Sequence, residues 1–125
     1  MSIQNFIKTI LTGYESTFKE TSLDDRGGQT CNYLCKDTTK EVFNFDKYVK
    51  DTNSSPLPSS PDAIYVENNK VYFVEFKNSP LRNINEDNIK KKFNSGTQIL
   101  KVLLCDFLQS EVEFIFCVVY KSQYQ

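Results

Sequence analysis

The chain contains no histidine. Catalysis by Ser-His-Asp or Cys-His pairs is therefore excluded, and so is any metal site that relies on imidazole. If the chain is an enzyme, carboxylates and lysines must do the chemistry. A dominant charge is also missing: 15 Lys and Arg against 16 Asp and Glu leave a net charge of −1. There is no global attraction for nucleic acid or for an anionic membrane, so a nucleic-acid site would have to be a local basic patch. No apolar run approaches the roughly 18 residues of a membrane span, and the N-terminus lacks a continuous apolar signal core. The expectation is a soluble, cytoplasmic protein with no membrane partner. Cysteine is sparse, at positions 31, 35, 105 and 117. A C-x₃-C pair followed by two distant single cysteines matches no common zinc spacing. Cys105 and Cys117 lie in apolar surroundings and read as small buried hydrophobes.

What is present suits an ordinary globular chain. Its 125 residues are 39% hydrophobic and 14% aromatic, which predicts a single domain over 1–125. A chain of this size buries roughly two-thirds of its extended surface on folding, without help from disulfides or a structural metal.

Residues 2–20 read as an amphipathic helix, with Ile3, Phe6, Ile7, Ile10, Leu11, Tyr14 and Phe18 at helical spacing and Ser2 as N-cap. Gly13 weakens its middle, and Glu15 sits at the border of the apolar stripe. Residues 21–30 are a polar loop with Gly27-Gly28. Two short strands are expected at 31–36 and 41–49, around a turn at Asp37-Thr38-Thr39-Lys40. Residues 50–61, rich in Ser and Pro, form a loop. A long helix is expected at 85–109, with Asn85 as N-cap and Glu86 and Asp87 in its first turn. Gly96 is a candidate break in it, with Thr97 capping the second half. Residues 111–120 are apolar on both faces, the pattern of an interior strand covered by helices.

The stretch that organises the chain is Ser60 to Lys77. Two β-rich runs flank Asn68-Asn69, and asparagine tolerates the positive φ of a two-residue hairpin turn. Such a turn places Glu67 opposite Lys70 and, by continuation, Asp62 opposite Glu75. Period-2 alternation puts Lys77 on the same face, and Tyr72, Val74 and Phe76 on the other. A loop of three or five residues would slip the register and separate the carboxylates. Directly opposed carboxylates destabilise a hairpin, whereas a divalent cation between them reverses the sign. The bland alternative is a charged, solvated face.

Pro61-Asp62 followed by Glu75-Phe76-Lys77 resembles the signature of the PD-(D/E)XK nuclease superfamily. The resemblance covers residues 2–20 and 60–120, and 21–59 loosely. It implies an α/β fold of the restriction-endonuclease-like kind, an αβββαβ core with a central mixed sheet flanked by helices. It further implies a metal-dependent nuclease that hydrolyses phosphodiester bonds, DNA ahead of RNA. Asp62, Glu75, the Phe76 carbonyl and the first-helix acid Glu15 would hold Mg²⁺ or Mn²⁺, with Lys77 beside the attacking water. RecB-type members carry a glutamine on the following helix, a place matched by Gln98, although position 102 is Val where that branch has Tyr. Arg82, Lys90, Lys91 and Lys101 are candidate phosphate contacts, the alternative being solvated surface. The expected partner is nucleic acid, with a homodimer as the assembly state to be tested. The competing functional readings are a non-catalytic domain of the same fold that serves assembly, and an interaction module using a hairpin edge.

Overall fold

The computed structural model describes residues 2–24, 32–79, 81–104 and 112–120. The Gly27-Gly28 loop, Cys31, Pro80, Cys105 and Phe107 lie outside them. The elements run α1 (Ile3–Ile10), β1 (Glu15–Ser16), α2 (Phe18–Thr21), β2 (Leu23–Asp24), β3 (Asn32–Tyr33), β4 (Val42–Asn44), α3 (Phe45–Thr52), β5 (Ala63–Glu67), β6 (Lys70–Lys77), a 3-10 turn (Leu81–Asn83), α4 (Glu86–Leu103) and β7 (Glu113–Tyr120). This is a mixed α/β structure. Its main sheet has the order β1-β4-β5-β6-β7, and β2 and β3 form a separate two-stranded ladder. All main-sheet pairs are antiparallel except β6-β7, which is parallel and joined through α4. No helix among the described residues is long and apolar enough to cross a membrane.

The hairpin has the expected register. Asn68 adopts φ +56°, and the pairs run from Glu67–Lys70 back to Ala63–Val74. One face of the sheet carries Phe43, Ile64, Val66, Val71 and Phe73, buried with Ile3, Ile7, Phe45, Val49, Phe93 and Leu100 from the helices. Phe73 anchors this layer, with ring centroids 6.0 Å from Phe45 and 5.8 Å from Phe116. The other face carries Val42, Ala63 and Val74 with Tyr65, Tyr72, Phe76 and Phe18.

The first helix is shorter than its periodicity predicts. Ser2 caps it as expected, accepting from Asn5 N–H at 3.1 Å. It stops at Ile10, and Gly13 takes φ +95°. The Tyr14 carbonyl then accepts from Asn44 N–H at 2.8 Å, so the chain joins the sheet and Glu15 lies on strand β1 instead of on a helix. The expected strand at 41–49 is also corrected: only Val42–Asn44 is strand. Asn44 then accepts from Lys47 N–H at 3.1 Å and caps α3. Phe45, Tyr48 and Val49 stand at helical spacing, and that pattern wins. The turn at 37–40 forms, with Asp37 Oδ1 accepting from Thr39 N–H at 2.7 Å and Lys40 N–H at 3.3 Å.

Strand β7 is not the interior strand that its composition suggests. It ends the main sheet among the described residues, and none of its eight residues is buried. Nor does Gly96 break α4, which is continuous. Thr97 Oγ1 donates back to the Phe93 carbonyl at 2.8 Å, as an interior helical threonine does. Gly96 is needed for close approach: a Cβ there would lie 2.7 Å from Pro61 Cδ and 3.2 Å from its Cγ. Gly96→Ala should therefore lower stability by about 1–2 kcal/mol, since overpacking against a rigid ring outweighs the helix-propensity gain of about 1 kcal/mol. A urea midpoint at or above that of the parent would show that the Pro61 loop yields instead.

Candidate active site

The Gly96–Pro61 contact matters because the next residue is Asp62. In the hairpin register, Pro61 stands where β5 would continue opposite Phe76, but proline has no N–H to return to the ladder. The strand begins at Ala63 instead, and the Asp62 side chain takes the vacated position. Its Oδ2 accepts from Phe76 N–H at 2.8 Å. In an antiparallel ladder the N–H and C=O of one residue point to the same edge. The Phe76 carbonyl therefore faces the same open end of β5 as Asp62.

Asp62 directly precedes the last ladder pair, Ala63–Val74, and so comes to lie beside Glu75, the residue after Val74. Glu75 is only 1% exposed, an unusual depth for a carboxylate. Two lysines reach it. Lys92 Nζ, from α4, lies 2.5 Å from Glu75 Oε2, and Lys77 Nζ lies 3.3 Å from the same oxygen. The other oxygen, Oε1, is buried and has no hydrogen-bond partner. A buried carboxylate oxygen without a partner is costly. Either a proton shared with a neighbouring acid or a cation would satisfy it.

The electrostatics point the same way. Burial, then the Glu75 charge and, more weakly, a proton shared with Glu75 push the Asp62 carboxyl up to about 7; the Phe76 N–H and the Lys92 charge pull less strongly in the opposite direction. For Lys92, burial disfavours the ammonium, but the hydrogen bond and charge of Glu75 and the charge of Asp62 together outweigh it and raise its pKa. A further layer supports the loop before Asp62. Buried Ser60 donates from Oγ to Asp46 Oδ1 at 2.9 Å, and Asp46 Oδ2 pairs with Lys50 Nζ at 2.8 Å. Lys50 is held above its ordinary pKa, first by its hydrogen bond to Asp46 and more weakly by the charge of Asp62.

Asp62, Glu75, Lys77 and the Phe76 main chain are thus brought together. Glu15 is not: it is exposed on β1, and its Oε2 accepts from Gly13 N–H at 2.9 Å. Among the described residues no group of three or more His, Cys, Asp and Glu side chains is placed to hold an ion. An ion here would rest on two carboxylates and one carbonyl, with water completing the shell, as Mg²⁺ accepts. The orphaned Glu75 oxygen and the hard-oxygen donor set fit such an ion.

The α4 candidates divide by helical face. Ile89, Phe93, Gly96 and Leu100 are buried. Gln98, two residues past Gly96, projects about 200° around the helix from it and is exposed. Lys90 and Lys91 are exposed near the start of α4, and Arg82 is exposed in the 3-10 turn. Lys101 lies at the far end of α4, its Nζ 5.7 Å from the Phe114 ring centroid. The lysine that does enter the site is Lys92, which sequence reasoning left within the Lys90-Lys91-Lys92 run. Its position immediately before the buried Phe93, on the flank of the apolar stripe, was the one signal that could have found it.

Compared with family models, curated proteins and solved structures, the chain gives no match.

Proposed function

We propose that this chain is a metal-dependent nuclease of the PD-(D/E)XK kind, hydrolysing phosphodiester bonds in DNA ahead of RNA. The observation that carries the reading is the convergence of Asp62, Glu75 and Lys77 at one end of the hairpin, with one Glu75 oxygen buried and unpartnered. The succession α1, β4, β5, β6, α4, β7, with its parallel last pair, supports a restriction-endonuclease-like core.

Asp62, Glu75 and the Phe76 carbonyl would hold Mg²⁺ or Mn²⁺. When bound, such an ion lowers the pKa of a coordinated water and stabilises charge on the phosphoryl oxygens. Lys77, about one-third exposed in its side chain, is within reach of both Glu75 and solvent, and orients the attacking water. Paired with Glu75 at 3.3 Å, it serves in positioning and charge neutralisation. Lys92 pairs with Glu75 across 2.5 Å and can turn toward a phosphate.

One observation favours a non-catalytic domain instead: Lys77 and Lys92 already neutralise Glu75. Calorimetric titration with Mn²⁺, run alongside cleavage assays on plasmid, single-stranded DNA, branched DNA and RNA, separates the two readings. Binding lost in Asp62→Asn, together with Mn²⁺-dependent cleavage of any of these substrates, is expected. Absence of both would leave the non-catalytic reading.

Substrate would be held by lysines of α4, Lys90 and Lys91 within two residues of Lys92 and Lys101 further along the helix. Changing Lys90, Lys91 and Lys101 together to Gln should flatten the log–log salt dependence of binding by roughly 0.7–0.9 for each phosphate contact removed. The loss should be similar for all sequences, since phosphate contacts carry no base information. A parent-like slope would mark these lysines as solvated surface only.

A further inference from the structure

The outer edge of β7 has a property that the proposed nuclease site does not use. Glu113 N–H donates to the Asn69 carbonyl at 3.0 Å, toward β6. Orientation alternates along a strand, so the odd-numbered residues of β7 direct their main-chain groups to β6. Phe114, Phe116, Val118 and Tyr120 direct theirs outward. Among the described residues no strand pairs with that edge.

Edge strands in soluble proteins are usually short, or blunted by lysine, proline or a bulge, because an open row of N–H and C=O groups templates further pairing. β7 has none of these devices. It is eight residues long, pairs with β6 without a bulge, and its sole charge is Glu113 at its first position. Its side chains stay apolar up to the edge on both faces. Phe116 is 48% exposed and Tyr120 45% on the helix-covered face, and Val119 is 36% exposed on the other. On that second face an apolar groove of about 280 Å³, lined by Phe18, Tyr65, Val74, Phe76, Cys117 and Val119 among others, runs out to the edge.

We infer that β7 pairs antiparallel with β7 of a second copy of this chain, joining two five-stranded sheets about a two-fold axis at Cys117. The register follows from arithmetic. Two-fold pairing that engages all four outward residues at once must centre on their midpoint, Cys117. Phe114 then faces Tyr120 of the second copy, and Phe116 faces Val118. These aromatic–aromatic and aromatic–β-branched pairs are the favourable cross-strand combinations, and no like charges meet. The four outward residues of each strand exchange both main-chain bonds with their partners. Cys117 meets its symmetry mate at a non-hydrogen-bonded position, with Cα atoms about 4.5 Å apart. The groove on one face and the Phe116 layer on the other continue across the axis, so the self-match extends to both faces. The two Glu75 residues would share one face of the joined sheet, roughly 16 Å apart from strand spacing and rise.

The test uses the full chain. Sedimentation velocity of the parent should give twice the 14.5 kDa chain mass. Val118→Pro removes one outward N–H and leaves the β6 ladder intact, so it should sediment as a monomer with a parent-like circular dichroism spectrum. A chain with Cys31, Cys35 and Cys105 changed to Ser, oxidised with copper-phenanthroline, should form a disulfide-linked dimer through Cys117, at a distance disulfides accept. The cross-link needs an intact edge, so it stands even where the proline variant does not fold. A monomeric parent, whether its edge is simply bare or awaits some other protein, overturns the inference. So does a dimer in which Cys117 fails to cross-link.

Discussion

Glu75→Gln is expected to reduce metal-dependent cleavage by about a hundred- to a thousand-fold, the scale seen when one preorganised charge-stabilising group is lost. The substitution keeps the shape of the side chain and an acceptor for Lys92, but removes the charge that an ion requires. Asp62→Asn should do the same, and the double variant should be no slower than either single one, because groups that hold one ion act as a unit. Lys77→Met should lose rate while keeping Mn²⁺ affinity, since its role lies with the water and the charge in flight. Folding should survive in all of them. Lys77 and Lys92 are about one-third exposed in their side chains, so each can turn to solvent once Glu75 is neutral. Parent-like cleavage by Glu75→Gln, with contaminating nuclease excluded, would overturn the assignment.

The second large effect is on stability in the absence of metal. Burial and Glu75 hold the Asp62 carboxyl at about 7, against 3.8 as the ordinary value. Between these values the folded chain binds more protons than the unfolded chain, so stability falls as pH rises. At about 1.4 kcal/mol for each pH unit crossed, the loss from pH 4 to 7 is about 3–4 kcal/mol, with little further change above 7. Urea unfolding in chelator should show this decline, and Asp62→Asn should flatten it. At pH 7.5, Mn²⁺ at about a hundred times its dissociation constant should restore about 2.7 kcal/mol. Stability that rises across the same window, or the same decline in Asp62→Asn, would mean that the carboxyl is already ionised in the metal-free fold.

The geometry of the candidate site was legible in the sequence because a two-residue turn converts spacing into position. Once Asn68-Asn69 turns the chain, the register of Asp62 against Glu75 is arithmetic. The helices α1 and α4 were legible from their apolar spacing and from Ser2 and Asn85, both of which cap as expected. Where the reading failed, distant contacts decided the outcome. Glu15 left the helix because Gly13 and the Asn44 bond draw the chain onto the sheet edge. The reading of α3 as strand arose because Val42 to Val49 is apolar at both candidate periods, and only the Asn44 cap distinguishes them. Gly96 looked like a break because its reason for being glycine is Pro61, 35 positions earlier. Lys92 was obscured by its neighbours in a run of three lysines. Which of the three turns inward depends on where α4 lies across β6, and no local pattern records that.

The bond from Phe76 N–H to Asp62 also gives the molecule an internal indicator. Most sheet amides donate to carbonyls, whose charge does not change with pH. This one donates to an ionisable oxygen at the centre of the site. Its proton resonance should drift as Asp62 titrates, while that of Val74, one ladder step away and facing the same strand, stays put. Two peaks in an amide correlation spectrum would then read the protonation state of the resting protein, with no substrate and no turnover.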